Sequence, residues 1–343
     1  MAAERLVAVS YEADEAFAAV NAEVLADAAE IVYTFGLDDA GRARAIREAD
    51  ALLAYELPKE LPAGALDDHG RLSFVQFLST GVDSVDFSEV PDDLTVACNA
   101  GAYAGAVSEH ALAMTLSLAK RLPQRHAALA AGRFEKWAPA LTLHGATCVI
   151  LGFGGIGTTS ARMLRAFGAR ICAVTRTGQT TEPADVTASI ADLHRVLPTA
   201  DVLIIALPLT LATRGLIGAA ELGLMKPDAI LVNVGRGPII DQAALYEHLR
   251  THQDFTAGID TWWAEPAGDA PFRTDYPFLD LPNVLGSPHN SSIVAGTMIS
   301  AAGLAAVNVR RYLRGEPVTG IIRRSDYVAR LISRPSSRRR PSG

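Results

Sequence analysis

Cysteine is scarce: Cys98, Cys148 and Cys172 are the only three in 343 residues, an odd number without C-x-x-C spacing. That excludes a disulfide framework. The first residues, MAAERLVAVSYEADE, lack a cationic leader followed by an apolar core, so a reduced, cytoplasmic setting is expected. Long apolar runs are missing too; the nearest, the Ala-rich 293–307, is too short to cross a bilayer, and no membrane partner is expected. Nor is there an excess of basic charge: 31 Lys and Arg against 38 Asp and Glu leave a net −7, which argues against nucleic acid as a partner. What is present is apolar: hydrophobic residues make up 49% and charged ones 20%, which rules out a chain disordered throughout. A length of 343 residues implies two domains or one unusually large α/β unit.

The charge is unevenly spread. Seven arginines against one aspartate give residues 321–343 a charge of +6, leaving −13 on residues 1–320. The end of that segment, RPSSRRRPSG with Arg338, Arg339 and Arg340, has almost nothing to bury, and residues 321–343 as a whole are expected to form a solvated, disordered basic tail. An acidic body that took an anionic ligand would have to gather positive charge locally.

Short apolar runs alternate with helical spacing along the first hundred residues: LVAVS at 6–10, IVYTF at 31–35, ALLAY at 51–55, SFVQFL at 73–78 and LTVAC at 94–98. A second series follows: TCVIL at 147–151, ARICAVT at 169–175, DVLIIAL at 201–207, AILVNV at 229–234, FTAGID at 255–260 and NVLGS at 283–287. Helical patterns at 155–167, 189–196 and 241–250 fill the gaps at βαβ spacing. The pattern predicts two doubly wound parallel-sheet lobes of α/β class. Long amphipathic helices are predicted at about 105–131 and 292–314, flanking the second lobe as if the chain left the first lobe, built the second and returned.

Gly152-Phe153-Gly154-Gly155-Ile156-Gly157 follows the strand TCVIL and opens a helix. In that setting Gly152 permits the tight turn, Gly154 lets backbone approach a pyrophosphate, and Gly157 allows close helix–strand packing, with the helix N-terminus facing the phosphates. The next strand ends in Thr175-Arg176, where a dinucleotide fold often carries a carboxylate for the ribose hydroxyls. Thr175 removes a charge that would repel a 2′-phosphate and Arg176 supplies one that attracts it. NADP is therefore favoured over NAD.

Asn233-Val234-Gly235-Arg236-Gly237 sets an arginine between glycines at the end of a strand, where open α/β sheets bind ligands. The glycines leave its guanidinium free to clamp a carboxylate. Asp260, Glu265 and His289 come at or after the next sheet ends. An imidazole can exchange a hydroxyl proton as hydride moves, and a paired carboxylate would hold the ring. No metal site is expected. Lys59 in the LPKELP loop reads as a solvated lysine.

These residues make the chain resemble the D-isomer-specific 2-hydroxyacid dehydrogenase family over roughly residues 50–315. The motifs that carry the resemblance are Asn99 to His110, Gly152 to Gly157, Leu207-Pro208-Leu209-Thr210, Asn233 to Gly237, Gly258-Ile259-Asp260, Glu265-Pro266, and Pro282-Asn283 running to Pro288-His289. The spacings of 29 from Arg236 to Glu265 and 24 from there to His289 are similar to the family's. The resemblance implies a Rossmann cofactor domain, residues 100–290, inserted into a flavodoxin-like substrate domain built from 1–99 and 291–320. It implies that His289 is the general acid/base, Glu265 its partner, and Arg236 the clamp on substrate. Gly155 and Ile156 would meet the pyrophosphate, and Asp260 the nicotinamide side. Leu207, Pro208, Thr213, Val234 and Gly235 would border the cofactor. Ser79, Thr80, Gly81 and Val82 would form the loop whose N–H groups hold the substrate carboxylate in an interdomain cleft. A homodimer through the cofactor domain is implied as well.

The implied activity is NAD(P)-dependent interconversion of a small 2-ketoacid and a D-2-hydroxyacid. Two alternatives stay open: a dinucleotide-sensing interaction protein similar to the family's corepressors, and oxidation of an unusual substrate such as phosphite. Glu265 weakens a formate dehydrogenase reading, since that branch carries an amide in this role. The chain departs from the family pattern at Asn290-Ser291-Ser292 and at Trp262-Trp263, aromatics expected to pack on the domain surface or to shape the pocket.

Overall fold

Tetrapeptides such as Ala51–Ala54 (ALLA) and Val202–Ile205 (VLII) have no polar face to turn to water, and both are buried along their whole length. Strands of that kind belong in parallel sheets covered on both sides by helices. The computed structural model, which describes residues 5–327 apart from 267 and 269, contains two such sheets. The chain divides into two units: one runs to Ala102 and resumes at Val294, and the other is Tyr103–Ile293. The second is thus inserted into the first along the chain.

The first unit holds β1 (Leu6–Val9), β2 (Glu30–Tyr33), β3 (Ala51–Ala54), β4 (Phe74–Phe77) and β5 (Thr95–Ala97). Their order is β2-β1-β3-β4-β5, all parallel, the flavodoxin-like arrangement. The helix Thr297–Leu313 returns to cover this sheet, and its buried face is rich in alanine, with Ala301, Ala302, Ala305 and Ala306 beside Asn308, Val309 and Leu313. Small side chains let the helix lie close to the strands, where Tyr312 stacks on Phe74 at 4.3 Å. Asn308 is the polar rivet. Its Nδ2 donates to Gln76 Oε1 at 2.6 Å and to the Thr319 carbonyl at 2.9 Å, while its Oδ1 accepts from the Thr319 N–H at 3.0 Å.

The second unit holds β6 (Thr147–Leu151), β7 (Arg170–Thr175), β8 (Val186–Ser189), β9 (Val202–Ile205), β10 (Ile230–Asn233), β11 (Thr256–Ile259) and β12 (Val284–Gly286). Their order is β12-β11-β10-β9-β6-β7-β8. Chain order reverses between β6 and β9, and in such a sheet ligands bind beyond the carboxyl ends of the strands at that switch. The helix Ala104–Ala119 crosses β10 and β11. Gly258 makes room for it, because a Cβ there would come within 3.2 Å of the Met114 sulfur.

Three expectations need correction. The helix predicted over 105–131 is two helices, Ala104–Ala119 and Leu122–Ala130. Arg121 takes a left-handed φ of 51° between them, and Pro123 stands in the first turn of the second helix, a place where proline's missing N–H costs nothing. Of the helix predicted over 189–196, only Leu193–Val196 is α-helical, preceded by the strand β8 and a capped 3-10 turn at Ile190–Asp192. Within 321–343, residues 321–327 are not a free tail: Ile321 bridges Ala97, Arg324 Nη1 donates to the Val90 carbonyl at 2.6 Å, and Tyr327 lies buried on Phe87. The remaining 328–343, with Arg338, Arg339 and Arg340, lie outside the described residues. Among the described residues no helix is long and apolar enough to cross a membrane.

Replacing Asn308 by alanine strands the buried Gln76 Oε1 and leaves both Thr319 backbone groups without their partner. The expected loss is about 1–3 kcal/mol, read as a lower urea midpoint of the transition reporting the first unit; an unchanged midpoint would refute the rivet.

Candidate active site

The carboxyl ends of β6, β7, β9, β10, β11 and β12 carry nearly every residue singled out in the second unit. After β6, Gly152 sits at φ 92°, in the left-handed region that glycine tolerates. Gly157 faces the same turn so closely that a Cβ would lie 2.0 Å from the Gly152 carbonyl oxygen, whereas a Cβ on Gly154 would meet no protein atom within 4 Å. One glycine is thus demanded by helix–strand packing, while the other leaves backbone open to approach, at the N-terminus of the helix Gly155–Ala166. Such a turn offers unpaired N–H groups and a positive dipole end to a phosphate. Ser108 braces it by donating to the Ile156 carbonyl at 2.9 Å. At the end of β7, Arg176 is exposed and Thr175 Oγ1 donates to the Gln179 carbonyl at 3.1 Å.

After β9, Thr213 Oγ1 ties the turn together, accepting from the Thr210 N–H at 2.8 Å and donating to the Pro208 carbonyl at 2.7 Å. After β10, Asn233 holds the arginine loop: its Nδ2 donates to the Arg236 carbonyl at 2.9 Å and its Oδ1 accepts from the Gly235 N–H at 3.1 Å. Val234 and Gly235 are buried beneath it. Gly237 packs that loop directly on the backbone of Trp262 and Trp263, since a Cβ would lie 2.3 Å from the Trp262 carbonyl carbon. The two tryptophans are anchors: Trp262 Nε1 donates to the Ser287 carbonyl at 2.8 Å, and Trp263 Nε1 to the Ile240 carbonyl at 2.7 Å.

His289 Nδ1 and Glu265 Oε2 stand 2.8 Å apart. The other carboxylate oxygen accepts from the Trp262 N–H at 3.0 Å. With Nδ1 committed to the carboxylate, the imidazole's remaining nitrogen, Nε2, is left for chemistry. His289 is one of two described non-glycine residues with positive φ, at 51°, a conformation costing about 1–2 kcal/mol. It is pinned there by its own N–H, which donates to the Asp260 carbonyl at 2.9 Å. Burial alone would raise the Glu265 pKa, but the hydrogen bond from His289, the imidazole's charge, the Trp262 N–H and the charge of Arg236 outweigh it and hold the carboxyl below its usual range. A cavity of about 460 Å³ opens beside this pair, lined mainly by hydrocarbon from Trp262, Phe272, Leu279 and Pro288, with Glu265 and His289 in its wall.

Asp260 is fully buried at the end of β11. Its Oδ1 accepts from Ser287 Oγ at 2.5 Å and from the Asn290 N–H at 3.2 Å, with His110 Nε2 at 3.6 Å. Its Oδ2 has no donor among the described residues. A buried carboxylate oxygen without a donor is costly, and an amide N–H of a bound molecule would satisfy it. The turn at Gly152–Gly157 and this orphaned oxygen together fit a dinucleotide ending in a carboxamide. His110 and Ser287 fall within motifs of the sequence but carry no assigned role there: they lie 177 positions apart, and no spacing rule links them.

Ser79, Thr80, Gly81 and Val82 belong to the first unit, in the turn after β4. Ser79 Oγ donates to the Gly81 carbonyl at 2.9 Å and Thr80 Oγ1 to the Asn99 carbonyl at 3.2 Å. Lys59 is paired with Glu56. The three cysteines are buried thiols, with Cys148 pushed up to about 12 by burial and then by the charge of Asp201. Among the described residues no group of three His, Cys, Asp or Glu is placed to hold a metal.

The family model described as D-isomer specific 2-hydroxyacid dehydrogenase, NAD binding domain, matches residues 112–291. A glyoxylate reductase of Thermococcus gammatolerans is 31% identical over 280 residues, covering 79% of this chain and 82% of that protein. A D-3-phosphoglycerate dehydrogenase of Methanocaldococcus jannaschii is 28% identical over 307 residues; the match takes in 88% of this chain but only 56% of that longer protein. Among solved structures, an NADPH-dependent glyoxylate/hydroxypyruvate reductase from Sinorhizobium meliloti, in complex with NADP and malonate, superposes with a TM-score of 0.69 at 25% identity, over 95% of this chain and 98% of that one.

Because the Glu265 carboxyl is held low in the folded chain, it contributes stability above its unfolded pKa, about 4.3, and that contribution is lost as pH falls through the folded value. Glu265→Gln removes the titration while keeping an acceptor for the Trp262 N–H. The wild-type Tm is therefore expected to fall more steeply than that of the variant as pH drops below about 4.3; parallel Tm curves would rule the contribution out.

Proposed function

The chain belongs to the D-isomer-specific 2-hydroxyacid dehydrogenase family, and from that premise we propose that it interconverts a small 2-ketoacid and a D-2-hydroxyacid with a nicotinamide dinucleotide. The observation that carries the reading is the 2.8 Å pair of His289 and Glu265, beside an Arg236 whose charge is felt at the carboxylate. In the reductive direction His289 Nε2 gives its proton to the substrate oxygen, and Glu265 stabilises the charge on the ring that precedes the transfer. Arg236 offers a planar fork to the substrate carboxylate and polarises the carbonyl. When bound, the dinucleotide supplies the hydride. The N–H groups opening the helix Gly155–Ala166, those of Gly155 and Ile156, are assigned its pyrophosphate. Asp260 Oδ2 is assigned the carboxamide of its ring. Leu207, Pro208, Thr213, Val234 and Gly235 wall its path, and the Ser79–Val82 turn is assigned the substrate carboxylate.

The exposed Arg176 at the end of β7, with a threonine rather than a carboxylate beside it, supports NADP over NAD. A homodimer is supported by apolar side chains left in water on the helix Leu122–Ala130 and just beyond it: Leu122, Leu129, Phe134 and Trp137, the last 85% exposed.

His289→Asn and Arg236→Ala are each expected to lower kcat/KM roughly 10²- to 10⁴-fold in a panel of glyoxylate, hydroxypyruvate, pyruvate and phenylpyruvate, followed by loss of reduced-cofactor absorbance. Dinucleotide binding should survive both substitutions. Near-normal turnover in either variant would refute the assignment, and a wild-type chain that binds cofactor but reduces none of the four would favour the sensing role. In fluorescence titrations NADPH should bind more tightly than NADH, with Arg176→Ala narrowing the gap; a wild-type preference for NADH would contradict the cofactor reading.

A further inference from the structure

His110, on the helix Ala104–Ala119, takes no part in the proton chemistry, yet its Nε2 lies 2.9 Å from Ser287 Oγ. A serine hydroxyl has one hydrogen, and here that hydrogen goes to Asp260 Oδ1 at 2.5 Å. Ser287 Oγ must therefore accept from His110, which fixes the imidazole as a donor at Nε2. The result is a chain of fixed polarity: His110 N–H to Ser287 O–H to Asp260 Oδ1. Without the histidine, the serine hydroxyl could still donate to Oδ1, but no side chain would hold its oxygen in place, and the 3.2 Å bond from the Asn290 N–H would be the other restraint on Oδ1. With it, Oδ1 is doubly claimed and the second oxygen, Oδ2, is left as the buried acceptor without a donor.

We propose that His110 is a positioning residue for the cofactor: through Ser287 it locks the Asp260 carboxylate so that Oδ2 is presented to an amide N–H of the nicotinamide carboxamide. The proposal rests on the reading above that this unit takes a nicotinamide dinucleotide. His110 is only partly covered, its side chain 26% exposed, so filling the core does not require an imidazole at that point of the helix. What the position supplies is an N–H donor in register with Ser287.

The test is direct binding, independent of turnover: the dissociation constant of NADPH, read from its fluorescence, for wild type, His110→Leu, His110→Gln, Ser287→Ala and the His110→Leu/Ser287→Ala pair. His110→Leu removes the donor, whereas the glutamine amide N–H can reach the place of Nε2. Losing the hydrogen bond that holds the serine hydroxyl should weaken binding roughly 2- to 10-fold in His110→Leu, with glutamine restoring most of it. Ser287→Ala, which also removes the bond to Oδ1, should weaken binding at least as much as His110→Leu, and the double variant should be no worse than Ser287→Ala alone, because both cut the same chain. Unchanged affinity in His110→Leu, equal loss in the leucine and glutamine variants, or additive losses in the pair would each overturn the proposal. A wild-type chain that binds neither NADPH nor NADH would overturn the functional reading and this proposal with it.

Discussion

The carboxylate of Asp260 is removed from water at the carboxyl end of β11, and oxygens buried in that way persist only where donors converge on them. The carboxyl edge of the larger sheet is shaped by this demand. Ser287 and Asn290 turn inward to meet Oδ1, and the intervening His289 is carried round with its N–H on the Asp260 carbonyl. That path forces the left-handed backbone at His289, strain of a kind that persists where surrounding bonds over-determine it. It also brings the imidazole to Glu265. One buried carboxylate thus fixes the His289–Glu265 pair through backbone, while its own second oxygen has no donor among the described residues.

Close backbone approaches do the rest. Gly157 against Gly152, and Gly237 against Trp262, bring loops together at distances that no side chain permits. The first presents helix N–H groups to a phosphate; the second seats Arg236 beside Trp262 and so within the electrostatic reach of Glu265. These positions answer the puzzle of an acidic body taking anionic ligands. At that edge Arg176, Arg236 and the N-terminus of the helix Gly155–Ala166 are the positive groups available to an anionic ligand.

Much of this was legible in the sequence because it depends on local rules. Eleven apolar runs became strands, and most did so because buried parallel strands read as hydrophobic stretches, although Glu30–Tyr33 and Val284–Gly286 are only partly covered. Gly152–Gly157 declared itself by following one of them, and Arg236, Glu265 and His289 by standing at sheet ends. The edge strand Val186–Ser189 escaped notice because VTAS has only one buried residue, Ala188, so neither burial nor alternation marks it. The break at Arg121 was hidden because apolar periodicity continues through it. Residues 321–327 read as part of a tail because their partners, Ala97, Val90 and Phe87, lie more than two hundred positions away. The His110–Ser287–Asp260 chain was invisible for the same reason: its polarity follows from counting hydrogens in space, not along the chain.

A crystal structure of the full chain with NADP bound tests the central claim most directly. The account expects the carboxamide nitrogen within hydrogen-bond distance of Asp260 Oδ2, about 2.7–3.2 Å, with Ser287 still on Oδ1 and the pyrophosphate against the backbone of Gly154 to Ile156. A dinucleotide bound with its carboxamide away from Asp260, or a carboxylate turned so that Ser287 holds Oδ2, would contradict it.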